Sequence, residues 1–115
     1  MSEKSFKTIT QDLSKGLAQF RAQVPDVQAG FSALHQASMK DGALDALTKE
    51  LIALAIGVAA RCDGCVGFHT QALIKLGVTK AQLTEMLSVA VMMGGGPSLM
   101  YAAETMRAYE EFGGK

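Results

Sequence analysis

The stretch LIALAIGVAARCDGCVGFHTQALIKLG, residues 51–77, decides the fold. Its first part, Leu51 to Ala60, is apolar and interrupted only by Gly57, and it is about half the ~20 residues that would cross a bilayer. It therefore reads as a helix buried in a small protein. Arg61-Cys62-Asp63-Gly64 breaks the pattern, and a second helix then carries Cys65, Phe68, His69, Ala72, Leu73 and Leu76 until Gly77 stops it. The connection is short, so the two helices must fold back on each other, and the cysteines sit at the start of the second.

Outward from this hairpin the chain keeps the helical period. Ala, Leu, Met, Gln, Glu and Lys prevail and β-branched runs are scarce, so the fold class is all-α. The buried helix is expected to start at a Thr48 cap. A first helix is predicted from Thr10 to about Arg21, with Leu13, Leu17 and Phe20 as its apolar stripe, ended by Pro25. A second, from Asp26 to Met39, is expected to bury Val27, Phe31 and Leu34 before the Asp41-Gly42 turn. Thr79 caps a fifth helix running to about Met93, Gly94-Gly95-Gly96 breaks the chain, and Pro97 opens a sixth to about Phe112. The terminal Gly-Gly-Lys is expected to fray. At 115 residues, without repeats or linkers, residues 1–115 should form a single-domain bundle of about six helices.

Composition narrows the function classes. Lys plus Arg and Asp plus Glu are equal at 11 each, so no field of one sign draws nucleic acid or an anionic membrane. Apolar residues make up 49% against 19% charged, which is rich for so small a domain, and part of that surface is expected to form a subunit interface. The opening MSEKSFKTITQDLSKG lacks the continuous apolar stretch of a secretory signal, so a cytoplasmic location is expected. In a reducing compartment, a Cys-x-x-Cys pair is a redox couple or a set of metal ligands rather than a permanent staple.

Cys62, Cys65 and His69 fall on one face of a helix that starts near Cys62. Unpaired N–H groups and the positive end of the helix dipole favour thiolate there, the form that attacks peroxides and disulfides. His69, one turn after Cys65, is the natural base, with an unperturbed pKa of about 6.5. Glu50, on the preceding helix, comes beside the His69 turn when the hairpin closes. There it would orient the imidazole and gain the partner a buried carboxylate needs. The same four side chains could instead hold zinc in a structural module. His35 reads as a surface or structural histidine. Met92, Met93, Met100 and Met106 read as core or interface filling, and the three glycines as a helix break rather than a phosphate loop.

Glu50, Cys62-Asp63-Gly64-Cys65 and His69 together spell E-x11-C-x2-C-x3-H. With its flanks, from Thr48 to Met93, the pattern resembles the alkyl hydroperoxidase D (AhpD) and carboxymuconolactone decarboxylase superfamily. The resemblance implies an AhpD-like helical fold, a homo-oligomer (trimer or hexamer), and peroxidase activity that needs no cofactor. It makes Cys65 the thiol that attacks a small-molecule peroxide, Cys62 the resolving thiol, and His69 with Glu50 the proton relay. The reductant it implies is a lipoylated protein or another dithiol carrier. Peroxidases of this type carry a histidine where this chain has Gly64. The superfamily's other chemistry, acid–base decarboxylation, would use His69 and Glu50 with the thiols incidental.

Overall fold

The computed structural model describes residues 4–115, which form six α-helices and no strand. These are α1 (Phe6–Gln23), α2 (Pro25–Met39), α3 (Ala46–Ala59), α4 (Asp63–Lys75), α5 (Lys80–Gly94) and α6 (Gly96–Glu111). None is long and apolar enough to cross a membrane. α4 is the central element and packs on α3, α1 and α6, while α5 closes the far side against α3 and α6. The core is built from Leu54 and Val58 of α3, Val66 and Leu73 of α4, Leu83 of α5 and Phe6 of α1, all fully buried.

The turn between α3 and α4 follows from how α3 ends. The Arg61 N–H donates to the Val58 carbonyl and the Cys62 N–H to the Gly57 carbonyl, a paired closure that needs one residue in the left-handed region. Arg61 supplies it at φ 56°, where a side chain costs roughly 1–2 kcal/mol relative to a right-handed conformation. The same closure recurs on glycines after α4, at Gly77, and after α6, at Gly113. Gly113 and Gly114 are consequently held rather than frayed: the Gly114 N–H bonds the Tyr109 carbonyl at 2.8 Å, and Gly114 packs against the Tyr109 ring.

Several expectations about helix faces need correction. α1 starts at Phe6 rather than Thr10, capped by the Ser5 hydroxyl. Its seat on α4 lies nearer its N-terminus than the predicted stripe, because α4 offers glycines there. A Cβ at Gly67 would lie 2.5 Å from Thr10 Cγ2, and one at Gly64 would lie 2.7 Å from Leu13 Cδ1. Phe6 and Thr10 are buried and Leu13 and Phe20 are exposed. α2 buries nothing: Val27, Phe31 and Leu34 form an apolar stripe at helical spacing, but it faces outward, with Phe31 61% exposed. α3 is capped by the Asp45 carboxylate, which accepts the Thr48 N–H, not by Thr48 itself. It buries one face only, leaving Ile52 and Ile56 exposed. Met92, Met93 and Met100 are exposed rather than core, and Met106 is partly buried. Thr79 caps α5 as expected, in a reciprocal arrangement with Gln82.

The N-terminal segment is fastened to α6 by one carboxylate. Glu111 accepts from the Ser5 hydroxyl, from the Phe6 N–H at 2.7 Å and from the Lys7 N–H at 3.3 Å, satisfying orphan donors of α1 across the fold. Burial alone would raise its pKa, but these donors take it below the ordinary 4.5. A depressed carboxylate contributes stability that is complete above its unfolded value and is lost as the pH falls through the lower folded value. Glu111→Gln should therefore cost about 1 kcal/mol at pH 7, about 4 °C in Tm by thermal melting. That gap should close in melts run progressively below pH 4.5.

Candidate active site

Cys62 is the N-cap of α4, in extended conformation at φ −101° and ψ 102°. Its sulfur stands where a serine or aspartate oxygen commonly caps a helix and accepts the Cys65 N–H at 3.2 Å. Asp63 and Gly64 fill the first turn, so Cys62 and Cys65 lie 5.2 Å apart at Cα, and their sulfurs are joined as a disulfide. When that bond is reduced, a thiolate on Cys62 meets a backbone donor and the positive end of the α4 dipole.

Cys65 owes its place to α3. Gly57 lies so close that a Cβ there would come within 2.7 Å of Cys65 Cβ, so this crossing admits no side chain on α3. Glu50 precedes Gly57 by two turns and lies on the same face of α3. Its Oε2 is 2.6 Å from His69 Nδ1, across the seam between α3 and α4. The Glu50 side chain is 10% exposed and that of His69 25%, so the carboxylate is largely withdrawn from water while the imidazole reaches it. A neutral His69 donating from Nδ1 to Glu50 leaves Nε2 as its acceptor, which fixes the nitrogen available for proton exchange. Glu50 thereby gains the partner that its burial requires.

The four residues singled out by sequence thus line one seam, with Cys62 bonded to Cys65, Glu50 paired with His69, and His69 one turn beyond Cys65. His35 is exposed on α2, beside Arg21, Gln28 and Phe31, and takes no part. The glycine triplet is a helix break: Gly95 adopts φ 71°, and Gly94 gives room to Ser98 at the start of α6. Among the described residues, no group of three or more His, Cys, Asp and Glu is disposed to hold a metal ion. Sequence reading missed two contributors. Gly57, a lone glycine inside an apolar helix, carried the usual signal of a close helix approach. Asp63 meets Lys4 and Tyr101, residues far away in sequence, and nothing local announces that contact.

Fold and site define an all-helical protein with a redox-capable Cys-x-x-Cys disulfide at a helix start. The sequence profile of the carboxymuconolactone decarboxylase family matches residues 25–108, and the chain belongs to that family. An uncharacterized protein of Cupriavidus necator is 36% identical over 109 residues, covering 89% of this chain and 96% of that protein. An uncharacterized protein of the cox locus of Paracoccus denitrificans is 32% identical over 88 residues, covering 76% and 79% respectively. Among solved structures, the apo form of a carboxymuconolactone decarboxylase family protein from Legionella pneumophila superimposes with a TM-score of 0.91 at 58% identity, over 93% of this chain and 96% of that one. A Thermotoga maritima family member, described as having a possible part in an antioxidative response, shares the fold at a TM-score of 0.79 and 24% identity, over 89% and 87%.

The contact at Gly57 yields a prediction with opposing terms. Alanine inside a helix is worth about 1 kcal/mol over glycine, but overpacking a close helix crossing costs roughly 1–3 kcal/mol. Gly57→Ala should therefore lower Tm despite its better helix propensity. Calorimetry of the variant checks this, and an unchanged or raised Tm would mean that Cys65 has room to move.

Proposed function

We propose that this chain is a thiol-dependent peroxidase or disulfide reductase of the cytoplasm that cycles Cys62 and Cys65 between dithiol and disulfide. The observation that carries the reading is the disulfide at the start of α4, flanked along one seam by the part-buried Glu50–His69 pair. In the reducing half, a dithiol carrier or a lipoylated protein gives two electrons to the disulfide and is itself oxidised to a disulfide. In the oxidising half, the Cys65 thiolate attacks the distal oxygen of a small-molecule peroxide. The O–O bond breaks, the alkoxide takes a proton and leaves as the alcohol, and Cys65 becomes a sulfenic acid. Cys62 condenses with it, forming the S–S bond and releasing water. His69, oriented by Glu50, takes the thiol proton and supplies it to the leaving alkoxide. No bound cofactor takes part in this cycle.

A titration of thiols on the reduced protein tests the proposal. One equivalent of an organic hydroperoxide should consume both thiols of the wild type and form one alcohol, whereas Cys65→Ser should lose turnover entirely. Thiols untouched by peroxide would defeat the peroxidase half, and thiols also untouched by a disulfide probe would defeat the reductase half. Activity on a lactone or β-keto acid that survives loss of both cysteines would instead mark acid–base chemistry by His69 and Glu50.

We further infer that the working form is a homo-oligomer, a trimer or hexamer. Support comes from the outward apolar stripe of α2 and its neighbours on α1, where Phe20, Phe31 and Leu34 are each more than 60% exposed. A fifteen-residue helix with no buried residue is marginal in water by itself, so its cover should be constitutive. Light scattering should give three or six times the 12.1 kDa chain mass, and Phe31→Glu should reduce it. A wild-type monomer at micromolar concentration would refute this.

A further inference from the structure

One of the two residues between the cysteines, Asp63, is itself part of a charged cluster. Asp63 occupies the first turn of α4, and its Oδ1 lies 3.1 Å from Lys4 Nζ. The same ammonium lies 3.4 Å from Glu104 Oε2 and stands 5.3 Å and 5.4 Å from the centroids of the Phe6 and Tyr101 rings. Arg107 completes the arrangement: its Nη1 is 3.0 Å from Glu104 Oε1, and its Nη2 donates to the Lys4 carbonyl at 2.7 Å. Two carboxylates and two cations therefore meet beside the redox loop, drawn from the N-terminal segment, α4 and α6.

An unpaired carboxylate next to a thiol opposes ionisation of that thiol. Asp63 is the acidic side chain nearest in sequence to both sulfurs, and Lys4 is the cation set against it. We propose that Lys4 is a positioning and charge-balancing residue of the redox site, which offsets Asp63 so that the thiolate of the Cys62/Cys65 pair is not suppressed. The N-terminal segment thereby becomes part of the redox centre. The inference rests on reading the disulfide as redox-active, but not on peroxide being its substrate.

Chemistry around the cluster supports the assignment. Burial alone would lower the Lys4 pKa, but Asp63 and Glu104 hold it above 10.5, so the ammonium stays charged throughout any thiol titration. Tyr101 is pushed above its ordinary 10.0, chiefly by the neighbouring Asp63 carboxylate, and remains a neutral phenol over the same range. Among the described residues, the other ionisable groups flanking the loop are Arg61, just before Cys62, and Glu50 and His69 on the seam with α3. None of these three hydrogen-bonds or forms an ion pair with Asp63, so substitutions at Lys4 and Asp63 act on the cluster and leave the Glu50–His69 pair in place.

The test is the pH dependence of iodoacetamide alkylation of the reduced full-length protein, which reports the pKa of the more acidic thiol with no peroxide present. Lys4→Met should raise that pKa by about half a unit, the size expected for a charge several ångströms away in a medium of intermediate dielectric. Asp63→Asn should lower it by a similar amount, and Lys4→Arg should restore the wild-type value. At a pH well above that pKa in both proteins, equilibration with dithiothreitol should give Lys4→Met about three times the disulfide-to-dithiol ratio of wild type, the pKa difference expressed as an equilibrium ratio, and the difference should vanish below it. Circular dichroism and Tm establish that each variant is folded. Folded Lys4→Met and Asp63→Asn proteins with unmoved thiol pKa values would overturn the proposal. If these shifts appear but peroxide consumes no thiol, the charge-balancing role stands and the peroxidase reading falls.

Discussion

Everything at the disulfide depends on how closely α3 and α4 approach. The two helices cross where Gly57 admits Cys65, and from that point the geometry of the hairpin runs outward in both directions. Toward the turn, the closure on Arg61 delivers Cys62 to the N-cap of α4, where its sulfur takes over a backbone donor. Away from the turn, two helical repeats bring Glu50 level with His69. A bulkier residue at the crossing would move all three relationships together, because rigid helices transmit a displacement along their length.

The electrostatics follow the same division. On the α3 side a largely buried carboxylate is satisfied by an imidazole, and on the α6 side a part-exposed carboxylate is satisfied by a lysine. Neither pair is a strong source of stability, since desolvation offsets much of the attraction in the first and water screens the second. Their value lies in what they determine at the disulfide: which imidazole nitrogen is available, and how much negative charge the sulfurs sense.

Much of this was legible from the chain alone, and the reasons are physical. Helix, turn and cap signals act over a few residues, so the all-α class, the hairpin at Arg61, the α5 cap at Thr79 and the break at the glycine triplet could be read locally. The Glu50–His69 pairing was legible because a short connection forces antiparallel helices, which turns sequence spacing into spatial proximity. Burial was less legible. Val27, Phe31 and Leu34 have the spacing of a core stripe, and periodicity identifies an apolar face without saying what covers it. The stripe of α1 was placed too far along because the glycines that receive it belong to another helix. The cluster at Asp63 joins residues about sixty and forty positions apart, beyond the reach of any local pattern.

The absence of buried residues in α2 bears on how the chain holds together through time. Cooperative stability concentrates where apolar contacts are dense, here in α3 to α6 and the first turns of α1, and thins toward the α1–α2 bend. Left uncovered, that arm would open and close many times without disturbing the sulfurs, as a separate unit of unfolding with its own low free energy. The disulfide-bearing bundle and the arm are in this sense two bodies in one short chain, one held by its own interior and the other dependent on its surroundings.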